Sequence, residues 1–126
     1  MSKQIVYTDQ APAPIGPYSQ AVKVNGILFV SGQVAIELAP KGDIQAETQK
    51  VMENIGAILK AAGMDYTNIV KSSIFVKDMN NFAAINEVYG RFFTENPGMP
   101  YHPARETVEV ARLPKDVNVE ISVIAV

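Results

Sequence analysis

The chain has 126 residues, 48% hydrophobic and 19% charged, with 11 Lys+Arg against 13 Asp+Glu for a formal net charge of -2. That length fits one domain spanning residues 1–126, the apolar content excludes a disordered chain, and the charge leaves no basic footprint for nucleic acid. Without cysteine there is no disulfide, thiolate zinc site or catalytic thiol, and one histidine, His102, cannot build a multi-histidine metal site.

In chain order, Lys3–Tyr7 reads as a short first strand, followed by the stiff, proline-rich loop Ala11–Pro17. Ser19–Val24 and Ile27–Val34 read as strands joined at Asn25-Gly26, the strongest two-residue hairpin signal. Lys41-Gly42-Asp43 is a turn, with Asp43 placed to cap a helix. Apolar Val51, Ile55, Ile58, Leu59 and Ala62 then mark one helical face, stopped by Gly63. Ile69–Lys77 is β-branched and apolar, as a central strand is. Phe82, Ile85, Tyr89, Phe92 and Phe93 trace a second amphipathic helix, ended by Asn96-Pro97-Gly98. Two last strands, Arg105–Ala111 and Val117–Ala125, flank Leu113–Asp116. The order β-β-β-α-β-α-β-β predicts an α+β domain, a mixed sheet with two helices packed on one face.

No apolar stretch approaches the roughly 18–20 residues that cross a bilayer, and Met1–Gln4 lead into polar residues, so a soluble, cytoplasmic protein is expected. Charged content below the usual ~25% points to surface covered by further copies of the chain.

Alternation sharpens the reading of the last two strands. Val108 and Val110 point one way and Arg105, Thr107 and Glu109 the other; Val117, Val119, Ile121 and Val123 oppose Asn118, Glu120 and Ser122. Paired as a hairpin with both apolar rows against the helices, the strands would gather Arg105, Thr107, Glu109, Asn118, Glu120 and Ser122 on one surface. An arginine fork grips a carboxylate, and a glutamate in a partly dry site can activate water. A cross-strand ion pair of Arg105 and Glu120 on a solvated face explains the same pattern.

Other candidates are a Tyr18 ring aimed by the Gly16-Pro17 loop or buried as a core aromatic, Ser31-Gly32 closing an apolar strand, Asn86 off the apolar stripe of its helix, and His102 in a loop. Ser31 lacks the context of a nucleophile. Glu106 is expected on the helix side or at an edge, in a structural role.

Ile15-Gly16-Pro17-Tyr18-Ser19-Gln20, Val30-Ser31-Gly32-Gln33, Pro103-Ala104-Arg105, Val108 through Asp116 and Val119-Glu120-Ile121 together resemble the RidA/YjgF family of reactive-intermediate deaminases. The likeness spans the whole chain in order and spacing. It implies a chorismate-mutase-like fold and a homotrimer whose sheets form a central barrel, with ligand clefts between adjacent subunits. It also implies hydrolysis of enamines and imines such as 2-aminoacrylate, 2-iminopropanoate and 2-iminobutanoate to 2-oxo acids and ammonia, with no cofactor or metal. On this likeness Arg105 clamps the carboxylate, Glu120 holds the attacking water with Thr107, Tyr18 packs on the carbon skeleton, Ser31 and Gly32 wall the cleft, and Asn86 stands near the site. Thr107 replaces a common cysteine, and Glu106 a common small residue. A non-catalytic 2-oxo acid binding module remains an alternative; a translation inhibitor or endoribonuclease fits the negative charge poorly.

Overall fold

The computed structural model describes residues 2–96 and 101–126. Eight main elements follow the expected order: β1 (Lys3–Val6), β2 (Ala21–Val24), β3 (Ile27–Gln33), α1 (Ile44–Ala61), β4 (Ile69–Val76), α2 (Phe82–Thr94), β5 (Ala104–Glu109) and β6 (Val119–Ala125). Asn25 and Gly26 both take positive φ, 53° and 76°, the twist that lets a two-residue turn join β2 to β3. Asp43 caps α1, its side chain accepting from Ala46 N–H at 3.0 Å. The helix-ending signal at Pro97-Gly98 lies outside the described residues.

The six strands form one sheet in the order β1-β2-β3-β6-β4-β5, with β4 and β5 parallel and every other neighbour antiparallel. Both helices lie on one face. There Leu28, Val30, Ile74, Val76, Val119, Ile121 and Ala125 of the sheet meet Val51, Met52, Ile55, Ile58 and Leu59 of α1 and Ile85, Tyr89 and Phe93 of α2, all buried. The expected mixed sheet with helices on one side is therefore correct.

The expected β5–β6 hairpin is not. β6 runs between β3 and β4, while β5 lies on the far edge beside β4. Burial explains the placement. In β6 every second side chain is fully sheltered, as a central strand needs, whereas β5 buries none of its residues completely and carries Arg105, Glu106 and Glu109, a composition suited to an edge. The connection between them holds a 3-10 turn at Pro114–Asp116, with Lys115 and Asp116 at φ 56° and a bidentate Arg112–Asp116 pair at 2.7 and 3.1 Å.

On the face away from the helices, Phe75 packs with Val34, Ile36 and Val110 around buried Ala39, Leu113 and Val117, and the rest of the strand surface is left open by the described residues. Phe29 and Val108 are 46% and 41% exposed there, beside partly buried Phe75 and Ile124. Val108, expected against the helices, thus belongs to the open face.

Candidate functional site

Strand register decides which candidate residues can meet. Arg105 sits beside Ser72, and Ser72 beside Val123, in a row on the helix face; the Tyr89 hydroxyl of α2 reaches Ser72 Oγ at 2.9 Å. Thr107 lies beside Ile74 on that same face. Glu120 sits beside Phe75, and Phe75 beside Val108, on the open face. Within one chain, Arg105 and Thr107 therefore point to the opposite side of the sheet from Glu120. The single polar surface expected from a hairpin does not exist, and neither does the cross-strand Arg105–Glu120 ion pair. The alternation within each strand is as expected; the phase between the two strands is not, because β4 intervenes.

Two separate pockets result. The first, of 370 Å³, is lined by Ile15, Tyr18, Ser31, Gly32, Val34, Pro114 and Glu120. A register shift in the β3–β6 ladder between Val30 and Gln33 takes Ser31 and Gly32 out of regular pairing and turns them to this pocket. Ser31 Oγ donates to Ser19 carbonyl oxygen at 2.6 Å, so its role is to tie the Tyr18 loop to β3. Tyr18 is not a core aromatic: it is 46% exposed, and its hydroxyl oxygen accepts from Ile15 N–H at 3.2 Å. Glu120 has no hydrogen-bond or ion-pair partner for its carboxylate among the described residues, and burial pushes its carboxyl pKa up.

Glu120 also lies where a side chain on Gly32 would go. A Cβ at Gly32 would come within 2.5 Å of Glu120 Oε2 and 2.7 Å of its carboxyl carbon. Gly32→Ala is accordingly expected to displace the carboxylate and lower turnover about 10–10²-fold, measured as kcat, with ligand affinity changed far less.

The second pocket, of 300 Å³, is lined by Asn86, Tyr89, Gly90, His102, Pro103 and Arg105. Arg105 Nη1 donates to Asn86 Oδ1 at 2.7 Å, and its guanidinium carbon lies 5.3 and 5.6 Å from the ring centroids of Tyr89 and Phe82. These contacts fix the fork without neutralising it, since no carboxylate lines the pocket. Asn86, off the apolar stripe of α2, is thereby joined to the arginine. Thr107 Oγ1 is buried with no partner among the described residues. Glu106 is not on the helix side; on the open face of the edge strand it accepts from Ser73 Oγ and pairs with Lys71 Nζ at 2.9 Å, and these two contacts lower its pKa, Ser73 first.

Sequence reasoning missed Glu47. This fully buried carboxylate in the first turn of α1 accepts from the backbone N–H of Asn118 at 2.8 Å, from Asn118 Nδ2 at 2.8 Å and from the Val119 N–H at 3.3 Å. It fastens the chain directly before Glu120. An acidic residue in a first helical turn is common for dipole reasons alone, so nothing in the sequence singled it out. Glu47→Ala would leave the Asn118 and Val119 backbone N–H groups without this acceptor and Asn118 Nδ2 with only the Ala39 carbonyl at 3.1 Å, and a loss of about 2–3 kcal/mol is expected in urea unfolding. Glu47→Gln, which keeps one acceptor oxygen, should lose clearly less.

Among the described residues no group of three or more His, Asp or Glu side chains could hold a metal ion, and no helix is long and apolar enough to cross a membrane.

Two helices on one face of a mixed sheet, with a carboxylate pocket and a guanidinium pocket, define a protein that handles small molecules. The sequence model of the Endoribonuclease L-PSP family matches residues 8–126. A RutC family protein of Synechocystis is 47% identical, the match covering 100% of this chain and 98% of the relative. Among solved structures, E. coli TdcF with bound serine is 43% identical with a TM-score of 0.88, and the E. coli YjgF gene product is 44% identical with a TM-score of 0.88; each comparison covers 98% of both chains. The chain belongs to the RidA/YjgF (RutC, Endoribonuclease L-PSP) family. Membership supports a general role in handling enamines and imines or binding small molecules.

Proposed function

We propose that the protein hydrolyses 2-imino acids and their enamine tautomers to 2-oxo acids and ammonia, in a cleft completed by two copies of the chain. The observation that carries this reading is Glu120: a carboxylate with no partner among the described residues, raised in pKa by burial, facing a pocket. Such a group suits proton transfer near neutral pH better than an ordinary surface carboxylate does.

The cleft needs a second copy because Arg105 and Glu120 occupy opposite faces of their own sheet. The uncovered apolar face with Phe29 and Val108 supports self-association, and the family resemblance suggests a trimer with the sheets turned inward. One copy then supplies Arg105, Asn86 and Thr107, its neighbour Tyr18, Ser31, Gly32 and Glu120.

In this cleft Arg105 binds the substrate carboxylate through two parallel hydrogen bonds. Glu120 takes a proton from water as the water oxygen bonds to the imine carbon, giving a carbinolamine. The protonated Glu120 returns that proton to the nitrogen, completing the amino group. The regenerated carboxylate then takes the carbinolamine hydroxyl proton and passes it to the amino nitrogen as the C–N bond breaks. Ammonia leaves, the carbonyl forms and Glu120 is again a carboxylate. Thr107 Oγ1 is buried within its own chain and lines neither pocket, so its part in holding the water rests on the family resemblance alone. Ile15, Tyr18, Val34 and Pro114 shelter the carbon skeleton. Orientation plus one acid–base group is adequate for imines, which already hydrolyse in water.

The TdcF structure, solved with serine, supports recognition of a small amino-acid carboxylate in this fold. A binding-only role shares Arg105 but has no use for a raised Glu120. The ribonuclease description of the family finds no support in a net charge of -2, because RNA binding draws on phosphate neutralisation. The test generates imines in situ from serine, threonine and leucine and follows 2-oxo acid release. Release faster than the spontaneous rate is expected; release at the spontaneous rate, with 2-oxobutanoate still bound, would leave the binding role.

A further inference from the structure

We propose that Gln20 is a positioning residue for the apolar wall of the Glu120 pocket, and that this wall selects 2-imino and 2-oxo acids by the length of their aliphatic side chain. The inference deepens the proposed function and rests on its placement of the carbon skeleton against Ile15 and Tyr18.

The segment between β1 and β2 belongs to no strand or helix. Pro12, Pro14 and Pro17 withhold their N–H donors, so the carbonyls around them need partners from elsewhere. Gln20 supplies them. Its backbone carbonyl accepts from Ser31 N–H at 2.9 Å, which fixes the residue to β3. Its side chain, 2% exposed, turns back to the segment. There Oε1 accepts from Thr8 N–H at 2.8 Å, and Nε2 donates to the carbonyls of Thr8 and Pro12 at 3.0 Å and of Ala11 at 3.4 Å. One buried amide thus pins the segment to the sheet.

The far end of the same segment is the pocket wall. Ile15 N–H donates to the Tyr18 hydroxyl at 3.2 Å, and both residues line the 370 Å³ pocket with Val34 and Glu120. A smaller space of 30 Å³, lined by Pro12, Ala13 and Gln20, shares Ile15, Tyr18 and Val34 with it. Gln20 therefore backs the wall without lining the larger pocket. Ile15 and Tyr18 are 53% and 46% exposed, so their own packing holds them weakly and their place depends on the backbone that Gln20 pins. An aliphatic side chain lying on this wall gains about four-fold in affinity with each methylene it buries.

The experiment measures by calorimetry how the intact protein binds 2-oxobutanoate and 4-methyl-2-oxopentanoate, in which isobutyl replaces ethyl, and records Tm alongside. Wild type is expected to bind the longer acid about ten-fold tighter. Ile15→Ala and Gln20→Ala should each cut that preference to about two-fold, with 2-oxobutanoate affinity nearly kept. The double variant should lose no more preference than either alone, because both act on one wall. Gln20→Glu keeps the shape and the acceptor for Thr8 N–H but not the amide donors; it should lose the preference too, and it carries the test if the alanine variant does not fold. Equal wild-type affinities, or a full preference in Ile15→Ala, overturn the selecting wall. A Gln20 variant that lowers Tm but keeps the full preference overturns the positioning role. Because binding is read without turnover, a protein that shows this preference yet releases no 2-oxo acid from imines fails only as a deaminase; one that binds neither acid loses the site and this inference with it.

Discussion

Glu120→Gln is expected to lower kcat for imine hydrolysis by about 10²–10⁴-fold while leaving 2-oxobutanoate affinity nearly unchanged. Glutamine fills the same space beside Gly32 and still accepts a hydrogen bond, but it cannot take a proton from water. The wild-type pH profile follows from the same group. Burial raises the Glu120 pKa, so the base form is lost on acidification at a pH above the usual value of about 4.3 for glutamate. Rate should fall as pH drops through that raised pKa. In Glu120→Gln the residual rate should lack this acid limb.

Arg105→Ala carries the second large effect, and on the other kinetic constant. Two charge-assisted hydrogen bonds to a carboxylate disappear, and Asn86 Oδ1 loses its donor at 2.7 Å. A fall in kcat/KM of about 10²-fold or more is expected, expressed chiefly as raised KM, with 2-oxobutanoate binding weakened in parallel. Arg105→Lys should recover only part of this. An ammonium keeps the charge but not the planar fork, nor its fit between the Tyr89 and Phe82 rings. The two variants thus separate chemistry from binding.

Alternation in Val119, Ile121 and Val123 made the buried face of the last strand legible, and Asn25-Gly26 made its hairpin legible, because side-chain period and turn stereochemistry are local properties. Strand neighbours are not local. Nothing in residues 104–109 states that their partner is β4 across a helix rather than β6 across a loop, and that one pairing sets which face Arg105 shares. The three charged residues of β5 against the single one of β6, whose alternate side chains are all buried, are the available clue: the first marks an edge, the second a centre. In the site, Arg105, Glu120 and Tyr18 stood out as residue types in a known pattern. The Asn86–Arg105 bond and the Glu47 clamp on Asn118 and Val119 join segments far apart in the chain, so only the folded structure reveals them.

Mixing two defective variants tests the shared cleft most directly. Arg105→Ala and Glu120→Gln are unfolded together in equal amounts, refolded and assayed for imine hydrolysis. If each cleft joins Arg105 of one chain to Glu120 of another, random assembly restores both groups to about a quarter of the clefts, and about a quarter of wild-type activity returns. Activity no greater than that of the separately refolded variants would contradict a site built from two chains.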